Sequence, residues 1–170
     1  YGYWGGGDIH PAPTPQYFID TIERLDYAND TADAVPKGKL SIGRRATAAA
    51  GNENYGYFGG GRSPTNSNST TVYRIDYSNA SSIPVEKGPL NETRNTESLA
   101  ATGNRNYGYF AGADPDGSAI DRIDYSNDTA TAVAKGPLYA GRRRLAATGN
   151  SFFGYFIAGA SSGWENEIDR

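Results

Sequence analysis

A block of about fifty residues, written three and a half times, constrains this chain more than any single residue in it. Tyr1-Gly-Tyr-Trp-Gly-Gly-Gly7 returns as Tyr55 to Gly61, as Tyr107 to Ala113 and, loosely, as Phe153 to Ala160. A second landmark follows each copy. Arg24-Leu-Asp-Tyr27, Arg74-Ile-Asp-Tyr77 and Arg122-Ile-Asp-Tyr125 match, and Ile168-Asp-Arg170 repeats Ile120-Asp-Arg122. Periods of this length mean repeat architecture, in which each unit is one supersecondary element that buries its apolar face only by stacking on its neighbours. Function then sits on shared surfaces.

Composition narrows the class of unit. With 22 Gly, 9 Pro, 13 Tyr, 6 Phe and 2 Trp in 170 residues, the chain suits many short strands joined by tight turns, and no segment reads as helix. No apolar run is long enough to span a membrane, and none at the start reads as a signal peptide. The start at Tyr1, the lack of Met and the stop inside a fourth copy read as a processed product or a segment of a longer protein. Zero Cys removes disulfides, thiolate catalysis and zinc-thiolate sites together. A net charge of -3 supplies no general attraction for nucleic acid, so no nucleic-acid partner is expected.

The third copy is the clearest. Leu99 to Thr102 reads as a short apolar strand, Gly103 to Asn106 as a turn, Tyr107 to Phe110 as an aromatic strand and Asp114 to Ser118 as a break. Ile120 to Tyr125 reads as a third strand, Ser126 to Asp128 as a turn and Thr129 to Val133 as an outer strand. In the aromatic strand one face carries Tyr107 and Tyr109, and the other is bare until Phe110. That predicts close approach of another backbone at Gly108.

Such a unit resembles a kelch repeat. The points of likeness are an aromatic strand ending in Gly5-Gly6-Gly7 or Gly59-Gly60-Gly61, the Arg-x-Asp-Tyr strand, an outer strand, and Gly-Pro-Leu followed by Arg142 to Arg144. The likeness covers nearly the whole chain. It departs where Val35, Val85 and Val133 stand in place of a tryptophan, and where the glycines become Ala111-Gly112-Ala113. The two landmark repeats are similar to those of uncharacterised phage and environmental sequences, a divergent kelch-like group. The resemblance implies an all-β propeller of four-stranded antiparallel blades over 1–170, with units near 1–44, 45–94, 95–143 and 144–170. The first and last are incomplete, with three strands each, so the ring needs a larger propeller or neighbouring chains. Open edges of that kind invite pairing.

Chemistry-bearing residues are sparse. His10 is the one histidine and reads as a solvated loop residue in place of a general base or metal ligand. Asp26, Asp76 and Asp124 recur once per unit, as do Arg74 and Arg122, Tyr55 and Tyr57, and Gly59 and Gly60. Recurrence of that kind suits a scaffold task, the aspartates holding the turn beside them through backbone amides. Asp114-Pro-Asp-Gly117 has two calcium-type ligands without the further oxygens of a calcium loop, and reads as a β-turn. Arg44, Arg45, Arg94 and Arg142 to Arg144 fall in the connections between units, where one arginine per unit bridging neighbours is favoured over an anion rim. Asn29, Asn68, Asn79, Asn91 and Asn127 fit the N-glycosylation acceptor pattern, and they are glycan sites if the chain is secreted by a eukaryote.

No catalytic, cofactor or metal set emerges, so the expected function is non-enzymatic. The favoured reading is a recognition scaffold of an extracellular or virion surface structure, such as a fibre or adhesin, whose inserts at Asp8 to Pro15 and Arg62 to Thr71 meet a protein or glycan partner. A self-assembling filament subunit is the first alternative. A fragment of a kelch-propeller enzyme or intracellular adaptor is the second.

Overall fold

Each aromatic-glycine segment pairs antiparallel with the Arg-x-Asp-Tyr strand that follows it, and four such pairs seed four small sheets. The computed structural model describes residues 1–9, 17–65, 68–79, 83–91, 98–113 and 117–170. The first sheet joins β1 (Gly2–Gly5), β2 (Thr21–Leu25) and β3 (Val35–Lys39). The second runs β4 (Ala48–Gly51), β5 (Tyr55–Gly59), β6 (Val72–Asp76) and β7 (Val85–Lys87). The third repeats it with β8 (Ala100–Gly103), β9 (Tyr107–Ala111), β10 (Ile120–Asp124) and β11 (Val133–Lys135). The fourth has β12 (Ala146–Gly149), β13 (Gly154–Ala160) and β14 (Trp164–Asp169). Three, four, four and three strands result, each sheet a simple meander. No helix among the described residues is long and apolar enough to cross a membrane.

Before the last strand of each of the first three sheets the chain makes a 3-10 turn, at Tyr27–Asn29, Tyr77–Asn79 and Tyr125–Asn127. The aspartate before each turn holds it. Asp26, Asp76 and Asp124 each accept a backbone N–H two residues on, from Ala28, Ser78 and Ser126, all at 2.9 Å. The Ser78 and Ser126 hydroxyls add donors to the last two, and with those amides hold both carboxyls below the usual range.

One strand lies elsewhere than the sequence predicts. The outer strand of the third sheet is Val133–Lys135, not Thr129 to Val133. The earlier residues are engaged across the sheet boundary, where Gly88 N–H donates to Asp128 O at 2.8 Å and Ala132 N–H to Pro89 O at 2.8 Å. A Cβ on Gly88 would stand 1.9 Å from Ala130 O, so only glycine permits this seam.

Sheets pack face to face through one contact set used again and again. Tyr3 and Ile22 of the first meet Phe58, Tyr73, Ile75 and Tyr77 of the second. Tyr57, Val72 and Leu90 of the second meet Phe110, Ile123 and Ala132 of the third. Ala111 and Leu138 meet Phe156 between the third and fourth. Each fully buried large side chain contributes roughly 1.5–3 kcal/mol, so these seams hold the blades together. The glycines shape them. Phe58 lies on Gly5 and Phe110 on Gly59, where a Cβ would approach the rings to 3.0 and 2.9 Å.

Gly56 and Gly108 work differently from the sequence expectation. What approaches them is a side chain, not a backbone: the rings of Tyr77 and Tyr125 from the same sheets, whose hydroxyls stand 2.7 Å from where a Cβ would be. Gly108→Ala is therefore expected to destabilise by about 1–3 kcal/mol. Gly136→Ala, with nothing within 4 Å of its Cβ, is the matched control and should be near neutral. Urea midpoints at constant slope decide this; equal midpoints for the two variants would refute the ring-on-glycine argument.

Candidate functional site

The connections between the aromatic strand and the Arg-x-Asp-Tyr strand all leave from the same strand end, so they gather on one edge of the blade row. They span 6–20, 60–71, 112–119 and 161–163. The first three begin on left-handed backbone, at Gly6 (φ 81°), Gly60 (φ 72°), Gly61 (φ 83°) and Gly112 (φ 86°), while in the fourth sheet Gly159 (φ 121°) lies within β13 at its register shift. Those turns press the chain onto the arginine-bearing connections between sheets.

The arginine backbone then stitches neighbours. Gly7 N–H donates to Arg44 O at 2.7 Å, while the next residue, Arg45, exchanges bonds with Arg62 at 3.2 and 3.0 Å. The pattern recurs two sheets later, Ala113 N–H reaching Arg142 O at 3.3 Å and Arg143 exchanging bonds with Ala160 at 3.0 and 2.9 Å. Side chains follow suit. Arg142 is 0% exposed, donates to Phe156 O at 3.4 Å and pairs with Asp169. Arg44, 6% exposed, has its guanidinium 5.7 Å from the centre of the Tyr73 ring. Arg45 pairs with Asp8 at 3.6 Å and lies over Phe18. Arg44 and Arg142 are buried between blades, and Arg45 is partly buried there.

The opposite edge carries the turns. Asn52, Asn104 and Asn150 each accept two backbone N–H bonds, at 2.8 to 3.0 Å, and close the first turn of three sheets. Their signal is a Gly-Asn pair at the same offset before each aromatic strand. Asn29, Asn79 and Asn127 are exposed in the 3-10 turns, and Asn68 and Asn91 are exposed in loops. An arginine stacks on the leading aromatic residue of every sheet: Arg24 on Tyr1 at 4.0 Å, Arg74 on Tyr55 at 4.4 Å, Arg122 on Tyr107 at 4.3 Å and Arg170 on Phe153 at 4.7 Å. His10, Arg94 and the Asp114-Pro115-Asp116 segment lie outside the described residues, as do the last two residues of the Asn79 and Asn91 triplets. Among the described residues no group of three or more His, Cys, Asp or Glu is placed to hold a metal ion.

One polar node is invisible to repeat counting. Asp128 of the third sheet is 7% exposed and reaches into the second, accepting from Tyr57 Oη at 2.9 Å and Arg74 Nη1 at 2.7 Å, with Lys87 Nζ at 3.1 Å. Burial pushes its carboxyl upward, but these donors and charges outweigh burial and hold it below the usual range. The Tyr57 phenol is pushed up, first by burial and then by the Asp128 carboxylate it bonds. Asp128 has no counterpart in the second copy, where the sequence has Ala80, and the equivalent Tyr3 hydroxyl has no hydrogen-bond partner.

Among the described residues, cavities lie at the sheet boundaries, including one of about 240 Å³ between the first and second sheets beside Tyr3, Tyr27, Gly56 and Tyr77. Another, of about 390 Å³, sits between the third and fourth sheets, lined by Tyr109, Phe153, Gly154 and Phe156 among others. A third, of about 290 Å³, lies at the turn edge between the second and third, beside Asn52, Arg105 and Ser126.

No family model matches the sequence, and no curated protein matches it. The fold is similar to the solved structure of YjhT, with a TM-score of 0.70 over 89% of this chain at 12% identity. The chain spans 49% of the length of that structure. Its all-β array of four antiparallel sheets thus matches half of a kelch-propeller structure.

Proposed function

We propose that this chain is a non-enzymatic recognition scaffold of an extracellular or virion surface structure, in which the connections on one edge of the blades bind a protein or glycan partner. The observation that carries it is a contrast within the repeat. The strands, turns and inter-sheet contacts recur, whereas connections of four different lengths leave the same strand end. Loop variation on a constant scaffold is how blade folds acquire partners. Replacing only the tips of these inserts, 10–15 and 64–67, by short glycine-asparagine turns should abolish binding on a glycan array or to a purified surface protein while leaving the melting temperature within a few degrees, since Asp8, Arg62 and Asn68, which pair with neighbouring backbone, are kept. Binding that survives both replacements overturns the reading.

One observation favours self-association as a second reading. Tyr27 lies over Gly2 as Tyr77 lies over Gly56, but it is 64% exposed on the outer face of the first sheet. On the far face of the fourth, Tyr155 and Arg170 hold the register positions of Tyr57 and Arg74, and Asp30 holds that of Asp128. The match is looser at Ile157, which stands where Gly59 and Ala111 stand in the inner sheets. Light scattering decides it: a strictly monomeric chain at high concentration rules it out.

A further inference from the structure

A carboxylate anchors the connection between adjoining sheets at two of the three boundaries. The residue just before each recurring arginine pairs with the phenylalanine of the aromatic strand: Tyr73 with Phe58, Asp121 with Phe110 and Asp169 with Phe156. At the third boundary Arg142 Nη2 donates to one Asp169 oxygen, and the Tyr139 N–H donates to the other at 3.0 Å. At the second, Asp121 is 0% exposed and accepts from the Asn91 N–H at 3.1 Å. Asn91 and Tyr139 hold one repeat position, directly after Leu90 and Leu138, and the recurring arginine of the connection stands three residues further on.

The first boundary has this cradle without its acid. Ser41 and Arg44 hold the places of Tyr139 and Arg142, but Tyr73 stands where Asp121 and Asp169 stand. The Tyr73 hydroxyl shares a 2.5 Å hydrogen bond with Ser41 Oγ and brings no charge to the arginine. Arg44 is nevertheless 6% exposed. Its Nε and Nη1 have no hydrogen-bond partner, and its guanidinium makes no ion pair among the described residues. Arg142 leaves the same two nitrogens unbonded and meets its counter-charge through Nη2. The Tyr73 ring, 5.7 Å from the Arg44 guanidinium, lies near the outer limit of a cation–π contact. Neighbouring acids are engaged elsewhere, Asp8 with Arg45 and Asp20 with Lys39, both at 3.6 Å.

From this arrangement we infer that Arg44 and the Ser41 N–H form a binding site for a small carboxylate anion, which takes the part that Asp169 plays at the third boundary. A guanidinium withdrawn from water without an opposite charge is costly, and one bound monoanion removes that cost. The planar fork of arginine matches the two oxygens of a carboxylate better than it matches a spherical halide. With Arg44 so deeply set, the site suits a free ion and not the side chain of a docked protein. The anion joins two sheets, since Ser41 and Arg44 belong to the connection between them and Tyr73 to the second, so binding it stabilises the first boundary.

The test titrates sodium formate, the smallest carboxylate, against sodium chloride at constant ionic strength into the 170-residue chain, and follows the arginine side-chain Nε–H resonances by NMR. The Arg44 resonance should shift saturably, with half-saturation on the order of 10 mM. Arg142, whose carboxylate is already in place, is the internal control and should not move. At about 100 mM formate the folding equilibrium constant should rise about tenfold over the chloride reference. Arg44→Met should lose that rise. Tyr73→Asp supplies the acid from the chain itself and should lose it too, and the wild-type resonances decide the matter even where a variant fails to fold. An Arg44 shift that stays absent or linear through about 100 mM, equal movement of Arg142, or a formate effect unchanged in Arg44→Met overturns the inference.

Discussion

Tyr57→Ala is expected to lower the free energy of unfolding by about 3–5 kcal/mol, among the largest losses available to a single substitution in this chain. Tyr57 is 0% exposed and joins two sheets in three ways. Its ring packs with Val72, Leu90, Phe110 and Ile123, it stacks on Tyr125 at 4.6 Å, and its hydroxyl donates to Asp128 at 2.9 Å. Truncation opens a cavity that the sheet backbones on either side cannot close, because a blade face is set by main-chain pairing and not by the side chain removed. Tyr57→Phe isolates the hydroxyl. A hydrogen bond to a charged acceptor contributes about 1.5–3 kcal/mol, and with Arg74 and Lys87 still on Asp128 the lower end applies. The first boundary supplies the control. Tyr3 stacks on Tyr77 in the same way, but its hydroxyl has no partner, so Tyr3→Phe should cost almost nothing. Urea unfolding of the three proteins measures this, and equal losses for Tyr3→Phe and Tyr57→Phe would show that the Asp128 bond does not matter.

How far the fold is legible without coordinates depends on what recurs. The two landmarks identify the paired strands, and their succession within one unit suits a meander. Which face each residue takes is less accessible. Gly56 and Gly59 look alike in sequence, but the first lies under a ring of its own sheet and the second under Phe110 of the next. A period of about fifty residues says that neighbours stack; it does not say which of two apolar faces meets which. The misplaced outer strand has a similar cause. Thr129 to Ala132 has strand-like composition, but its backbone is bound to Gly88 and Pro89 of the preceding sheet, a long-range claim that outcompetes local propensity. Residues that recur only in part are the hardest. Asp128 organises a whole boundary, and the pattern does not single it out, because Asp30 matches it in the first copy while Ala80 breaks the series in the neighbouring one. The recurring aspartates stand out in the sequence because each serves its own turn, and a local task leaves a periodic trace.

Asp128→Asn is expected to destabilise by about 3 kcal/mol at neutral pH, and the loss should shrink in acid. Removing the charge leaves Arg74 and Lys87, with side chains 25% and 12% exposed, facing each other beside a Tyr57 hydroxyl that keeps only a weaker acceptor. Breaking a largely buried ionic cluster by deleting one partner costs more than the cluster contributes over an apolar pair, because the remaining charges are stranded. The sign of the pH effect follows from the direction of the shift. The folded carboxyl of Asp128 is held below its unfolded value, near 3.9 for an ordinary aspartate, so its contribution is complete above that value and is lost as pH falls through the folded value. Asparagine does not titrate, so the gap between the two proteins should be constant from pH 7 to about 5 and close below about 4. Asp76 and Asp124, whose carboxyls are also depressed, titrate in both proteins and cancel in the difference. Burial raises the Tyr57 phenol, so its proton stays on through this range and the donor to Asp128 is constant. Thermal unfolding at a series of pH values measures the gap. A gap that persists unchanged to pH 2 would show that the stabilisation comes from packing at Asp128 and not from its charge.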